Sequence, residues 1–278
     1  MQGRNRQVVL LTGASRGIGN TCATFLAKRG HTVYGTSRAP GTRPRMIDEF
    51  FELLPMDYLD EASINSVVSG IIEKEGRVDL LVCNAGKTIS GAVENTPPAE
   101  GSRQMEVNFM GAARMIHAVL PTMRRNKRGT ILIIGSFAGR VGLPFNAFYS
   151  ASKFALEGYV ESLRLELAPS GIRLALIEPG SVRTGYDSSI TPFIGGSDDV
   201  YLDDHARVLK KITDYASEGI NPVVIARLVY RLMGKKRLKT RYTVGLIHQK
   251  LAFWLLCSLP SRMREYILLK SFGLAKRR

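Results

Sequence analysis

Short apolar runs alternate along the chain with longer stretches whose apolar residues recur at helical spacing. Residues 7 to 11 (Gln7-Val8-Val9-Leu10-Leu11), Thr32 to Thr36, Leu80 to Cys83, Thr130 to Ile134 and Arg173 to Ile177 are too uniformly apolar for a strand with one wet face, so each reads as a buried strand. After the first run, Cys22, Ala23, Leu26 and Ala27 mark the inner face of a helix. Buried strands separated by helices predict an α/β protein with a doubly wound parallel sheet, covered on both faces. A chain of 278 residues fits one such domain. In sheets of this type ligands gather at the carboxyl ends of the strands. Gly13, Asn84, Ser136 and Pro179 each follow a strand directly, so the pattern alone gathers them at one edge.

The first strand runs into Thr12-Gly13-Ala14-Ser15-Arg16-Gly17-Ile18-Gly19 and then into the helix. Glycines let the backbone turn sharply and approach a phosphate, while a helix N-terminus offers free N–H groups to a pyrophosphate. The spacing is G-x-x-x-G-x-G rather than G-x-G-x-x-G, and turn chemistry alone would also call for glycines. Further along, Tyr149 and Lys153 stand four residues apart, which places them on one helical face, and Ser136 lies thirteen residues before the tyrosine. Such a pair is by itself as compatible with an exposed tyrosine beside a solvated lysine as with acid–base work. Beside a hydride carrier it acquires a role: a phenol to exchange the proton, an ammonium to favour its ionisation, and a hydroxyl to hold a substrate oxygen.

The order and spacing of TGASRGIG, Cys83-Asn84-Ala85-Gly86, Asn108 in Val107-Asn108-Phe109-Met110-Gly111, Ser136, Tyr149-x-x-x-Lys153 and Pro179-Gly180 resemble the short-chain dehydrogenase/reductase family, closely over residues 7 to 185. Cys83 departs from the family's usual NNAG. The resemblance implies a Rossmann-like fold and a nicotinamide cofactor held by Gly13, Ser15, Arg16, Gly17, Ile18, Gly19, Ser37, Arg38, Asp57, Asn84, Ala85, Gly86, Tyr149, Lys153, Pro179, Gly180 and Thr184. Within that set, Asp57 matches an adenine contact and Thr184 a nicotinamide contact. The catalytic set it implies is Asn108, Ser136, Tyr149 and Lys153, with Lys153 also on the nicotinamide ribose and Asn108 supporting a water that links Lys153 to solvent. It also implies a homodimer or homotetramer, paired through the helices carrying Asn108 and Tyr149.

Charge bears on the form of the cofactor. A carboxylate at the end of the second strand would hold ribose hydroxyls and repel a 2′-phosphate. Here Ser37-Arg38 follow that strand, no acid occurs before Asp48, and Arg16 adds a cation in the glycine loop. A guanidinium matches phosphate geometry, so the expected cofactor is NADP(H). The segment Arg38 to Met46 reads as an exposed loop. Ser136, Leu143, Phe145 and Tyr149 are the expected substrate contacts, with Pro144 and Phe148 alongside. Their apolar character suits a hydrophobic ketone or aldehyde as much as it suits plain packing. A lid is expected over about 185–220.

The chain carries 39 Lys/Arg against 24 Asp/Glu, a net charge of +15. Fourteen of the basic residues, against Glu265 alone, fall in 227–278, which is set apart from a catalytic domain at 1–226 as a basic amphipathic extension. The run Leu251 to Leu259 is about nine residues, against roughly twenty needed to span a bilayer. Trp254, Phe253 and leucines flanked by cations suit an interfacial anchor on anionic lipid. The extension also suits a cap on the domain, a dimer surface or a dock for an acidic carrier protein, as in a 3-ketoacyl-carrier-protein reductase. No motif for nucleic acid accompanies it. Within the family, such an extension resembles the hydroxysteroid and retinol dehydrogenases and the ketosphinganine reductases, pointing to a steroid-, retinoid- or acyl-lipid-like substrate. Three scattered cysteines, without metal spacing, suit a reducing compartment, and Met1 to Gln7 leave no room for a signal peptide. The expected location is cytoplasmic, with peripheral membrane contact and no bound metal. A non-catalytic NADPH-binding sensor or scaffold is the alternative of another class.

Overall fold

All five residues of β1 (Val8–Thr12) are buried, and their side chains divide between two cores. Val8 and Leu10 face one side of the sheet; Val9 and Leu11 face the other. The computed structural model describes residues 6–38, 45–47 (as backbone), 50–184, 190–196 and 198–275. In chain order the elements are β1, α1 (Gly17–Ala27), β2 (Thr32–Ser37), β3 (Arg45–Ile47), β4 (Phe51–Pro55), α2 (Glu61–Glu75), β5 (Leu80–Cys83), β6 (Thr88–Gly91), α3 (Pro98–Met105), a π-helical turn Glu106–Met110, α4 (Gly111–Arg125), β7 (Gly129–Ile134), a 3₁₀ turn Phe137–Gly139, α5 (Ala147–Leu167), β8 (Ile172–Pro179), β9 (Ile190–Phe193), α6 (Leu202–Ser217), α7 (Val223–Met233), β10 (Arg241–Val244), α8 (Ile247–Ser258) and α9 (Ser261–Phe272).

The main sheet runs β10-β8-β7-β5-β1-β2-β4-β3, seven strands parallel and β3 antiparallel at one edge. Helices α2, α4 and α5 cover one face through Ile64, Val68, Met115, Ile116, Leu156 and Val160. Across the sheet, α1 and α7 seal the other face through Cys22, Leu26, Ile225, Val229 and Leu232. This is the single-domain, doubly wound α/β architecture that the hydrophobic pattern predicts, and all five expected strands are present. A separate pair, β6 with β9, is also parallel.

The strands that the pattern missed lie where apolar runs are short or mixed with charge. Phe-Glu-Leu-Leu-Pro (β4) ends on a proline, and Arg-Tyr-Thr-Val (β10) is an edge strand with only Val244 buried. The boundary drawn at residue 226 falls inside α7, whose buried face runs on from Ile225 and Ala226 to Leu232 and Met233. The basic segment 227–278 therefore begins within the core and supplies β10 to the sheet before continuing as α8 and α9, which bury Phe253 and Phe272. Of the expected lid, residues 185–189 and 197 lie outside the described residues, as do Asp48 and 39–44 of the segment expected as a loop, whose Arg45 and Met46 instead pair with β4 in β3. The described part of the lid contains β9 and α6. No helix among the described residues is long and apolar enough to cross a membrane.

Arg241 on β10 pairs with the buried carboxylates of Glu157 and Glu178. A chain ending at Lys239 is therefore expected to lose at least about 3–5 kcal/mol of stability, the cost of stranding buried charge. Urea unfolding checks this, and an unchanged midpoint would show that the edge strand is dispensable.

Candidate active site

The glycine turn is held from behind. Thr12 ends β1, and its hydroxyl accepts the backbone N–H groups of Asn84 (2.9 Å) and Ala85 (3.1 Å) and the phenol O–H of Tyr58, while donating to the carbonyl of Val82 at 3.3 Å. Asn84 returns the contact: its Nδ2 donates to the carbonyls of Thr12 and Gly13 at 3.0 and 3.1 Å. Gly13 and Gly17 adopt φ of 67° and 59°, the left-handed region that favours glycine. At Gly19 the limit is space, since a Cβ there would sit 2.1 Å from the Gly13 carbonyl oxygen. Helix α1 begins at Gly17 without a side-chain cap, so its first N–H groups face outward from a cradle that a Cβ would fill. That cradle fits a pyrophosphate.

The other expected cofactor residues surround it. Ala14 N–H bonds the carbonyl of Thr36 at 2.9 Å, bringing the end of β2, with Ser37 and exposed Arg38, alongside the loop that carries exposed Ser15 and Arg16. Met56 N–H bonds the Ser37 carbonyl, and Asp57 follows, its Oδ1 accepting from Leu59 N–H at 3.0 Å. Thr184 approaches Gly17, and Gly180 packs between Phe137 and Gln249 just beyond Pro179. Ile18 lies on the first turn of α1, and Gly86 beside the Asn108 side chain.

Ser136 follows β7 and caps the 3₁₀ turn, its Oγ accepting Ala138 N–H at 3.1 Å. Tyr149 stands on the first turn of α5, and the Ser136 hydroxyl acts on its phenol to favour ionisation. Burial pushes the Tyr149 phenol above its ordinary value, and Ser136 offsets only part of that rise. Lys153 is buried, and burial lowers its ammonium to about 8. The lysine was expected to lower the phenol, yet in this geometry the phenol is raised. Lys153 Nζ donates to the Ile134 carbonyl at 2.9 Å and lies 5.8 Å from the centre of the tyrosine ring. Asn108, in the π-helical turn, spends its side chain on the backbone of Lys87 (2.8 and 2.9 Å) and on Ser152 Oγ (3.0 Å), whose hydroxyl donates to the Tyr149 carbonyl. Its side chain thus bonds Lys87 and the first turn of α5 rather than Lys153.

On the substrate side, Phe145 adopts a left-handed backbone with φ 56°, and its carbonyl accepts Gly91 N–H at 2.8 Å. A bulky residue holds that conformation only where its surroundings enforce it. Its ring lies 5.2 Å from that of His205 on α6. His205 Nε2 is 3.1 Å from Ser90 Oγ on β6, both groups buried, and burial lowers the imidazole's basicity. Leu143, half-buried, takes Ser150 Oγ on its N–H at 3.3 Å. Thr12 was legible only as the first letter of TGASRGIG, and no sequence signal marks Ser90 or His205, which meet only through the fold.

A family model described as short chain dehydrogenase matches residues 7–194. The chain belongs to the short-chain dehydrogenase family. A 3-ketodihydrosphingosine reductase from Bacteroides thetaiotaomicron is 39% identical over 264 residues, covering 94% of this chain and 96% of the relative. The human 17-beta-hydroxysteroid dehydrogenase type 1 is 41% identical over 193 residues, which span 65% of this chain and 58% of that protein. Among solved structures, a short-chain dehydrogenase from Streptomyces avermitilis superposes with a TM-score of 0.82 at 28% identity, covering 98% of this chain and 100% of its own. A metagenomic short-chain oxidoreductase in complex with NADP superposes at 0.65 and 26% identity, covering 86% and 96%. As a short-chain dehydrogenase the protein is an oxidoreductase of alcohols and carbonyls that uses a nicotinamide cofactor.

Lys153 gives a pH test. Its depressed ammonium value favours folding at high pH, and that contribution is lost as pH falls through about 8. Stability of the wild type relative to Lys153→Met is expected to rise by about 2–3 kcal/mol between about pH 7 and about pH 10. Parallel melting curves across that range would show instead that Lys153 titrates as an exposed lysine does.

Proposed function

We propose that the protein is an NADP(H)-dependent reductase of a hydrophobic carbonyl, working through Tyr149, Ser136 and Lys153. The observation that carries this reading is that Ser136, just past β7, Tyr149 on the first turn of α5 and the buried Lys153, bonded to the Ile134 carbonyl, stand at the same sheet edge as the glycine cradle. The bound cofactor supplies the hydride. Ser136 holds the substrate oxygen, and Tyr149 delivers the proton to it. A phenol pushed above its ordinary value stays protonated at neutral pH, which suits the reducing direction. Lys153, an ammonium below about 8, favours the phenolate left after transfer and, as the family resemblance implies, would hold the ribose of a bound cofactor. Arg16 and Arg38, exposed beside the cradle, support preference for the 2′-phosphate.

For the substrate, the apolar Leu143 and Phe145 just before Tyr149 in the chain, together with the likeness to a 3-ketodihydrosphingosine reductase along nearly the whole chain, support a long-chain acyl ketone over a carrier-bound ketoacyl group. Helices α8 and α9 support delivery from a membrane surface. Ile247, Leu251, Trp254 and Leu255, then Met263 and Tyr266, are exposed on them among Lys250, Arg262, Arg264 and Lys270. Exposed Phe154 and Leu165 on α5 suit pairing into a homodimer.

Tyr149→Phe is expected to reduce turnover at least about 10²–10⁴-fold with NADPH binding retained; appreciable residual activity would sink the assignment of the proton donor. Arg38→Asp is expected to shift cofactor preference toward NADH, measured as the ratio of kcat/KM values. An unchanged ratio would remove Arg38 from phosphate recognition. NADPH oxidation with 3-keto sphingoid bases, steroids, retinals and ketoacyl thioesters fixes the substrate class, and silence with all of them would favour a non-catalytic NADPH binder. Vesicles containing phosphatidylserine are expected to float the wild type but not Leu251→Glu/Trp254→Glu; equal flotation removes the membrane contact.

A further inference from the structure

One turn beyond Lys153, α5 buries a second ionisable side chain that the carbonyl chemistry does not employ. Glu157 is 6% exposed, and the carboxyl end of β8 brings Glu178, 0% exposed, to the same guanidinium nitrogen that Glu157 meets, the Nε of Arg241. Arg241 Nε donates to Glu157 Oε2 at 2.6 Å and lies 3.6 Å from Glu178 Oε1, while the other side of the guanidinium is drawn to Glu161. Thr243 Oγ1 donates to Glu178 Oε2 at 3.0 Å. That leaves one oxygen on each carboxyl, Glu157 Oε1 and Glu178 Oε1, buried and accepting no hydrogen bond from any described residue. Two bare carboxylates this close repel each other strongly where water is excluded, and one shared guanidinium does not neutralise both. A single proton removes the repulsion and satisfies both orphan oxygens, as an O–H on one and its acceptor on the other.

The position of Glu157 gives that proton a consequence. A Cβ built on Gly139 would lie 3.0 Å from the Lys153 carbonyl oxygen and 3.4 Å from Glu157 Oε1, and one on Gly135 would lie 3.9 Å from the same Oε1. Glu157 Oε1 thus lies beneath both ends of the short segment that presents Ser136. We propose that Glu157 and Glu178 hold one proton between their inner oxygens, and that this carboxyl–carboxylate pair is a positioning element that sets the charge beneath Ser136 and Lys153. With the proton in place, the pair's single negative charge is balanced by Arg241. Without it, an extra negative charge stands one helical turn from Lys153 and holds its ammonium. Every charged or titratable group around the pair enters that balance: Lys153 one turn before and Glu161 one turn after Glu157 on α5, Arg241 from β10, Cys257 from α8, and Arg140 after the 3₁₀ turn, which acts on Glu161. Burial raises the Glu157 carboxyl to about 7, with Glu178 adding to the rise and Arg241 opposing it.

Glu157→Gln keeps an acceptor for Arg241 and offers Glu178 a permanent N–H, so it mimics the protonated pair. The first measurement is the infrared carbonyl stretch of a protonated carboxyl in wild-type protein with NADP(H) bound. The band is expected at about pH 6, to fade through about pH 7, and to be missing from Glu157→Gln and Glu178→Gln. The second is the alkaline limb of kcat, which rests on the reductase reading. Lacking the added negative charge, Glu157→Gln is expected to lose at least about threefold more activity than wild type between about pH 7 and about pH 9, with KM for NADPH unchanged. Absence of the band from folded wild-type protein overturns the shared proton, and an unmoved alkaline limb overturns the link to Lys153. Because the infrared measurement needs no turnover, a protein that reduces no carbonyl would lose its reductase assignment while the shared proton is still decided.

Discussion

The Thr12 hydroxyl stands where β1 leaves the sealed interior, and it meets the ends of two other segments there. It accepts the N–H groups of Asn84 and Ala85 and the hydroxyl of Tyr58, and it donates to Val82. In the middle of the sheet the backbone polar groups pair with neighbouring strands. Past its edge the chain must turn, and the turning backbone needs partners that a ladder no longer provides. Thr12 and the Asn84 amide supply them, so the glycine turn keeps its shape before any ligand arrives. The cradle at α1, the approach of β2 with Arg38 and the seating of β5 beside β1 all depend on this knot.

Beyond the knot, the site is a line of ionisable groups along one helix. Tyr149, Lys153 and Glu157 recur every four residues on α5, and each carries a shift that burial dominates: phenol up, ammonium down, carboxyl up. Burial thus pushes all three toward their neutral forms. The partners that resist it come from other elements, Ser136 from the end of β7 and Arg241 from β10. Pairing charge across elements ties the reactive face of α5 to the sheet, where a pair within one helix would leave it free to rotate.

Much of this was readable from residue order. Strands buried on both faces are apolar throughout, so β1, β5, β7 and β8 stood out, and the helix spacing of Tyr149 and Lys153 survives intact in α5. Less legible was whatever depends on distant segments meeting. β10 carries too much charge to look like a strand, because its arginine serves buried acids on α5 and β8. The Ser90–His205 contact joins residues 115 positions apart. The raised Tyr149 phenol was not legible for the same reason: four-residue spacing predicts proximity to Lys153, but the burial that raises the phenol and the Ile134 carbonyl that takes the ammonium come from other elements. Cutting the chain at residue 226 on the change in charge divided a helix whose inner face is continuous.

The place of β10 in the sheet also bears on how the molecule comes into being. Strand β8 sits between β7 and a neighbour that arrives some sixty residues later in the chain. Until residue 241 has left the ribosome, Glu157 and Glu178 have no cation to meet, and the edge of β8 lies open to other strands. Closure of the reactive end is thereby timed by synthesis: the glycine turn and its knot are available early, while the surface beneath Ser136 and Lys153 is completed only by the basic part of the chain.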